Sequence, residues 1–170
     1  MRKTLKMMVA AIVVVLSIVI LTSCATNPYT AERATTARDS RFTAYDNGTV
    51  LDTKTNLMWA TRDNGKIINW AEAKNYCDNY RGGDYKDWRM PTQDELAGLY
   101  DANKTRPAPC YRSFDIHVAT ELIDITCFAP WASDTRGSDA AQFDFVHGAR
   151  FWYLQIQTYG TRALPVRSVK

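Results

Sequence analysis

The sequence is poor in the residues and motifs with which most enzymes do their chemistry. It has two histidines, His117 and His147, and no Cys-x-x-Cys or His-x-x-x-His pair. A zinc site needs about four such ligands close together, so we expect no metal and no cofactor. Nucleophile-elbow, Walker and dinucleotide-binding glycine motifs are also missing. These absences predict a protein that is not an enzyme.

The sequence also lacks an apolar run long enough for a permanent membrane anchor. Residues 7–21 form a 15-residue run broken only by Ser17, whereas a spanning helix needs about 20 apolar residues. Three basic residues lie within the first six positions, and small residues follow the run. This order is typical of an export signal. We predict that residues 1–23 are a cleaved signal peptide, with a retained spanning helix as the alternative.

The end of this leader, Leu21-Thr22-Ser23-Cys24, resembles the lipobox of bacterial lipoproteins. In those proteins the cysteine thiol receives diacylglycerol, the leader is cut and the new amine is acylated. The resemblance implies that Cys24 is the lipidated first residue and that a lipid bilayer is a partner, because several acyl chains on one residue hold firmly. Ala25 follows, which by resemblance to lipoprotein sorting in double-membrane bacteria favours the outer membrane. An ordinary secretory signal with a chance cysteine is the alternative.

The mature chain would have no excess of one charge. The full chain has 21 basic and 18 acidic residues, and the leader holds three of the basic residues and none of the acidic ones. Because the remaining charges balance, the composition does not favour nucleic acid as a partner.

Three cysteines, Cys77, Cys110 and Cys127, remain for the folded domain, so at least one is not paired within the chain. Exported proteins keep their disulfides. We favour a Cys110–Cys127 disulfide, because these two flank a 16-residue segment without a strong periodic pattern. Closing such a loop would contribute about 3 kcal/mol. Cys77 is then expected to be free and buried.

Turn and cap signals divide the rest of the chain into short elements. Residues 24–41, rich in Thr, Ala, Arg and Asp, predict a flexible tether, and residues 42–170 the folded domain. Asn47-Gly48 predicts a hairpin turn, and capping boxes predict two helices, which begin at Asn69 and Thr92. Gly82-Gly83 is expected to end the first helix. Strands are predicted at 42–45, 49–51, 57–59, 121–126, 142–146, 150–157 and 162–169, with a loop at 103–112, which makes an α+β domain.

Several segments together resemble the Lcl_C family, the C-terminal domain of a bacterial collagen-like adhesin. The most specific is Asp87-Trp88-Arg89-Met90-Pro91-Thr92 with the downstream Glu95-Leu96. The other matching segments are Asp46 to Asp52, Thr55 to Trp59, Trp70 with Ala73, Tyr76-Cys77, Gly82-Gly83, Trp131 to Ser133 and Val166 to Val169.

The resemblance implies a C-type-lectin-like fold, and it associates the founding adhesin domain with sulfated polysaccharides. Family members often carry a second cysteine near the C-terminus that can pair with the helix cysteine. That place is Ser168 here, so the resemblance leaves Cys77 without its usual partner. A bridge from Cys77 to Cys110 or Cys127 would contradict the pairing that we favour.

Three residues are the candidates for ligand contact. Trp131 and Trp152 are expected to be the most exposed of the five tryptophans, and Arg89 could hold an anion. The alternative is structural: tryptophans in the core, and Arg89 paired with Asp94 or Glu95. Oxygens for calcium could come from Asp134, Asp139 and Asp144, but these residues lack a recognisable calcium loop.

The sequence therefore favours a membrane-anchored lipoprotein with a lectin-like domain that binds a polysaccharide or an envelope protein. One alternative is an envelope assembly protein without a ligand of its own. Another is an enzyme that resembles the formylglycine-generating group, for which Cys110 and Cys127 would have to be reactive thiols.

Overall fold

The computed structural model describes residues 34–169, and this part of the chain contains two α-helices and eleven β-strands. The helices are α1 (Trp70–Asp78) and α2 (Gln93–Ala97). The first strands are β1 (Thr35–Asp39), β2 (Phe42–Tyr45), β3 (Thr49–Asp52), β4 (Leu57–Ala60), β5 (Arg106–Ala108) and β6 (Tyr111–Ile116). The others are β7 (Ala129–Arg136), β8 (Asp139–Asp144), β9 (Ala149–Leu154), β10 (Thr161–Arg162) and β11 (Val166–Ser168).

The strands form two sheets and a hairpin. The first sheet has the order β1-β2-β3-β4-β11 and is antiparallel throughout. The second sheet has the order β10-β7-β8-β9, and only its β10–β7 pair is parallel. Strands β5 and β6 pair with each other. Mostly antiparallel sheets with two short helices confirm the predicted α+β class.

Local signals position the first hairpin and both helices as expected. Gly48 has a φ of 75° at the turn between β2 and β3, a conformation that glycine adopts without steric cost. Both capping boxes are present, with Glu72 and Glu95 bonding back to the N–H groups of Asn69 and Thr92. These caps satisfy backbone donors that a helix start leaves without partners.

Several predicted boundaries are wrong. Strand β1 lies inside the predicted flexible tether, and β5 lies inside the predicted loop at 103–112. Helix α1 ends at Asp78, before Gly82, and Asn79 is its C-cap, with backbone and side-chain bonds to the Asn75 carbonyl. The predicted strand at 121–126 is a loop with a single bridge between Asp124 and Arg62.

Strand β8 separates two hydrophobic clusters. Ala141 and Phe143 belong to the larger core, which also contains residues from both sheets. Ala140, on the opposite face, packs in a smaller cluster with Ala73 and Cys77 of α1. Successive side chains of a strand alternate between faces, so Gln142 and Asp144 share the face of Ala140. Gln142 and Asp144 line the cleft described below, so this end of the face borders it.

Candidate functional site

Trp131 is not a surface platform, so that prediction is wrong. Its side chain is fully buried in the cluster under α1, beside Ala73 and Cys77. The indole N–H donates to the carbonyl oxygen of Ile68 at 3.0 Å, which satisfies the polar edge of the ring inside the core. The position in the middle of β7, a strand that the sequence pattern did not show, explains the burial.

Arg89 takes the structural role that was the alternative for it. Its guanidinium donates to both carboxylate oxygens of Glu95, at 2.6 and 2.7 Å. Trp88 beside it is buried, and its indole N–H donates to the Gly82 carbonyl. Burial by itself would raise the pKa of Glu95, but hydrogen bonds from Arg89 and Thr92 outweigh this, and the net pKa is lowered. The pair therefore fixes the start of α2.

Arg89 also lines a small cleft of about 300 Å³ next to α1, together with Trp70, Lys74 and Asp78. The charged groups there already have partners within the chain: Lys74 pairs with Asp78, and Arg89 with Glu95. The geometry gives this cleft no free cation for an anionic ligand among its lining residues.

Trp152 is half-buried, and it lies on the face of β9 that points toward the larger core, opposite Ala141. The Arg136 guanidinium sits over its ring, 4.5 Å from the ring centre. A cation in this position covers the aromatic face. Trp131, Trp152 and Arg89 are therefore not brought together into one site.

The exposed aromatic side chains gather elsewhere, in a cleft of about 320 Å³ that we call the aromatic cleft. Phe151 and Tyr153 of β9 line one side, with ring centres 5.9 Å apart. Phe128 and Tyr159 also line it, with ring centres 5.6 Å apart. Tyr111 extends this cluster, 5.5 Å from Tyr159. Ligand sites are typically apolar clefts of this size with a few placed polar groups.

A glycine allows the close approach of Phe128 to the neighbouring turn. Gly160 has a φ of 70°, and a Cβ there would lie 2.2 Å from the Phe128 ring. No side chain fits such a gap, so the ring packs directly on the backbone. This contact places Tyr159 beside the cleft.

Four polar side chains also line the aromatic cleft: Gln142, Asp144, His147 and Gln157. The Nδ1 atom of His147 lies 2.8 Å from a carboxylate oxygen of Asp144, whose other oxygen accepts the Val146 backbone N–H. Gln142 is buried, and its amide nitrogen has no hydrogen-bond partner. Its backbone carbonyl accepts a bond from the Gln93 side chain at 2.8 Å.

No sequence pattern predicted this cleft, although one of its residues, Asp144, was considered for calcium. Phe151 and Tyr153 stand at alternate positions of a predicted hairpin strand, which was a usable signal for one aromatic face. Turns bring Tyr159 and Phe128 to the cleft, and no local sequence pattern predicts that these two residues lie close together. The burial of the Gln142 amide could not be predicted from the local sequence. It follows from the strand pairing, which places Gln142 between Trp131 of β7 and Phe151 of β9.

The predicted disulfide is confirmed: Cys110 is bonded to Cys127. Cys77 is a free thiol, fully buried, and burial raises its pKa far above the ordinary value. An enzyme of the formylglycine-generating kind would need reactive thiols at Cys110 and Cys127, and in this structure the two are consumed by the bond.

A buried charge network lies beside this disulfide. Asp63 accepts hydrogen bonds from the backbone and hydroxyl of Thr126, and Arg162 also donates to that hydroxyl. Burial raises the pKa of Asp63, against the hydrogen bonds, and lowers the pKa of Arg162. Because these groups satisfy one another away from the clefts, we assign them a structural role.

Within residues 34–169, no group of three or more His, Cys, Asp and Glu side chains could hold a metal ion. The three aspartates considered for calcium have separate partners. Asp134 accepts the backbone N–H of Gln93, Asp139 pairs with Arg136, and Asp144 pairs with His147.

Among the helices of residues 34–169, none has the length and apolarity needed to cross a membrane. Cys24 and the predicted signal peptide lie outside the described residues.

Comparison with known families gives one result. The sequence model of a family described as the Lcl C-terminal domain matches residues 48–167, more than half of the chain. No curated protein matches the sequence significantly.

Proposed function

Because the chain belongs to the Lcl_C family, we propose that it is a non-enzymatic binding protein of the bacterial envelope. In this proposal a lipid on Cys24 holds the protein at a membrane, and the folded domain binds a polymer or a protein of the envelope or its surroundings. The family was defined on an adhesin domain, which agrees with a binding role.

The aromatic cleft is the observation that supports this proposal. Soluble proteins usually bury large aromatic side chains, yet Phe151, Tyr153 and Tyr159 are each more than a third exposed and lie in one cleft. A contiguous exposed apolar surface with polar groups at its edge marks a site of interaction. The disulfide fixes Cys127, which directly precedes Phe128 of the cleft in the chain.

We also propose that the domain has the C-type-lectin-like fold that the resemblance implies. Two short helices and mostly antiparallel sheets are compatible with this fold, and binding through a loop-flanked cleft on a rigid scaffold suits it. An experimental structure of the domain, compared with known lectin-like domains, would test the assignment.

A capture experiment tests the binding function. The full-length protein, purified in detergent, is applied to a glycan array and, in parallel, used to capture envelope proteins after crosslinking in its host. We expect a ligand that the Tyr159→Ala variant loses and that the Ile67→Ala variant retains. Ile67 is a suitable control because it is a similarly exposed apolar residue that does not line the aromatic cleft. Silence of the wild type in both experiments would contradict the proposal.

An envelope assembly protein without a free ligand is the second candidate. Leu154 and Ile156, next to the aromatic cleft but not among its lining residues, are 53% and 81% exposed, and such a patch suits a permanent protein partner. Under this alternative, crosslinking would capture one partner in stoichiometric amount, and the Leu154→Asp variant would lose it while the glycan array stays empty.

A further inference from the structure

We propose that the aromatic cleft binds one uncharged pyranose unit of a glycan and that the Gln142 amide hydrogen-bonds its hydroxyl groups. This inference rests on the proposed binding function and names its site and ligand class. It follows from three independent features of the cleft: the aromatic sides, the buried amide without a partner, and the sign of the charge.

The aromatic sides suit a sugar ring. Phe151 and Tyr153 have ring centres 5.9 Å apart on one strand, and Phe128 and Tyr159 form a second aromatic pair in the same cleft. One face of a pyranose carries only C–H bonds, which pack against an aromatic ring, while its hydroxyls remain at the edge. Tyrosine suits this role because it combines an apolar ring with a polar tip.

The Gln142 side chain supplies the polar contact inside the cleft. Gln142 is only 1% exposed, and its Nε2 atom has no partner in the structure. A buried polar group without a partner is destabilising, and native proteins keep few of them. The Gln93 side chain holds the backbone of Gln142 and Phe151 through bonds of 2.8 and 3.1 Å. These bonds fix the backbone from which the Gln142 side chain extends, and Gln142 lines the cleft, where a ligand hydroxyl would be a partner for its amide.

The charge of the cleft favours an uncharged ligand. None of the residues that line it is lysine or arginine, and its one carboxylate belongs to Asp144. A sulfated or uronic-acid unit would meet this carboxylate without a lysine or arginine to offset it. An entirely apolar ligand would leave the buried amide nitrogen of Gln142 without a partner. A neutral, hydroxyl-rich ring avoids both penalties.

Calorimetric titration of the full-length protein in detergent tests this inference. The probes are uncharged hexasaccharides of glucose, xylose, mannose and N-acetylglucosamine, with dextran sulfate as the charged comparison. The variants are Gln142→Met, which keeps the side-chain volume and removes the amide, and Tyr153→Ala. Leu154→Ala is the matched control, because Leu154 is an exposed neighbour on the same strand that does not line the cleft.

We expect at least one hexasaccharide to bind, with an affinity at least tenfold lower in Gln142→Met and in Tyr153→Ala and unchanged in Leu154→Ala. The melting temperature of Gln142→Met should equal or exceed that of the wild type, because the lost amide nitrogen had no partner. This combination separates a ligand contact from a structural role.

Two results would overturn the inference: no hexasaccharide binds, or Gln142→Met binds as the wild type does. Binding of dextran sulfate alone, lost in Tyr153→Ala, would overturn the uncharged ligand and leave the proposed polymer-binding function standing. If no probe binds in the titration and the wild type is also silent on the glycan array and in the protein capture, both proposals fail.

Discussion

The two ion pairs at the start of α2 show how burial determines the contribution of an ion pair to stability. Arg89 and Glu95 form a bidentate pair with side chains 38% and 18% exposed, whereas Arg150 and Asp94 meet at 2.7 Å with side chains 51% and 87% exposed. Exposed pairs are screened by water and contribute little. The first pair also secures the capping glutamate, so it has the larger structural effect.

We predict that Arg89→Met lowers the free energy of unfolding by about 1–2 kcal/mol at pH 7, and that Arg150→Met lowers it by less than about 0.5 kcal/mol. Urea unfolding of both variants measures the difference. Equal effects in the two would contradict the structural role that we assign to Arg89.

The Arg89 variant should also change the pH dependence of stability. The folded-state pKa of Glu95 lies below the ordinary value of 4.5, so its stabilising contribution is present above that pH and is lost as the pH falls through the folded pKa. In Arg89→Met, Glu95 stays buried but loses the hydrogen bond from Arg89, which lowers its pKa more than any other contact does. We expect the wild type to lose more stability than the variant between about pH 5 and about pH 3. Parallel denaturation curves over this range would contradict the assignment.

Cys77 should behave as an inert core thiol. Burial raises its pKa well above neutrality, and the reactive species is the thiolate. We predict that iodoacetamide at about pH 8 leaves Cys77 unmodified in the native protein and alkylates it in urea. Peptide mapping by mass spectrometry reads the result, with Cys110 and Cys127 protected in both samples unless they are reduced first. Rapid alkylation of Cys77 in the native protein would show that the smaller hydrophobic cluster, which contains Ala73 and Cys77, opens.

At the scale of elements, the edge strand β1 belongs to the folded domain rather than to the tether. Asp39 pairs with Lys104 at 3.0 Å, and hydrogen bonding from Lys104 is the main reason that the pKa of Asp39 is lowered. Arg41 contacts the buried carboxylate of Asp52 at 3.1 Å and also donates to the Gly98 carbonyl. The Asp39 contact fastens β1 itself, and the Arg41 contacts fasten the turn between β1 and β2.

We predict that a chain starting at residue 42 is less stable than one starting at residue 34 by about 1–3 kcal/mol, because Asp52 and Lys104 both lose their partners. Urea denaturation of the two chains gives this difference. The control is Lys104→Met in the longer chain, which should lose only the smaller part that belongs to the Asp39 pair. Identical urea midpoints for the two chains would show that β1 does not stabilise the folded domain and behaves as part of the tether.

Elements with local signals were predictable, and elements defined by distant partners were not. The Asn47-Gly48 turn and the boxes at Asn69 and Thr92 are encoded within four residues, so the sequence reveals them. Strand β7 begins with Ala129-Pro130, lacks a regular apolar alternation and gains its burial from neighbours on both sides. Because β7 was missed, Trp131 was expected on the surface. The aromatic cleft was missed for the same reason, since its two sides join through pairing and turns.

At the scale of the molecule, the second sheet serves two purposes. One face packs on the larger core, and α1 covers only part of the other face. The remaining part of that face borders the aromatic cleft, whose exposed rings come from β9 and the loop after it. A rigid sheet thereby holds aromatic and polar groups in fixed positions, and preorganised groups lose less entropy when they bind.

The proposed lipid anchor yields the last prediction, which separates lipidation from binding. If Cys24 is lipidated, Cys24→Ala should abolish palmitate incorporation and leave the leader uncut, because the thiol must carry diacylglycerol before the leader is removed. Cys77→Ala is the matched control, since that thiol is buried, and it should keep the label and the cut leader. The variant, purified in detergent, should still bind whatever ligand the wild type binds, because the aromatic cleft lies wholly within residues 128–159. A Cys24→Ala protein that still incorporates palmitate, or whose leader is cut as in the wild type, would contradict lipidation at Cys24 and indicate an ordinary secretory signal.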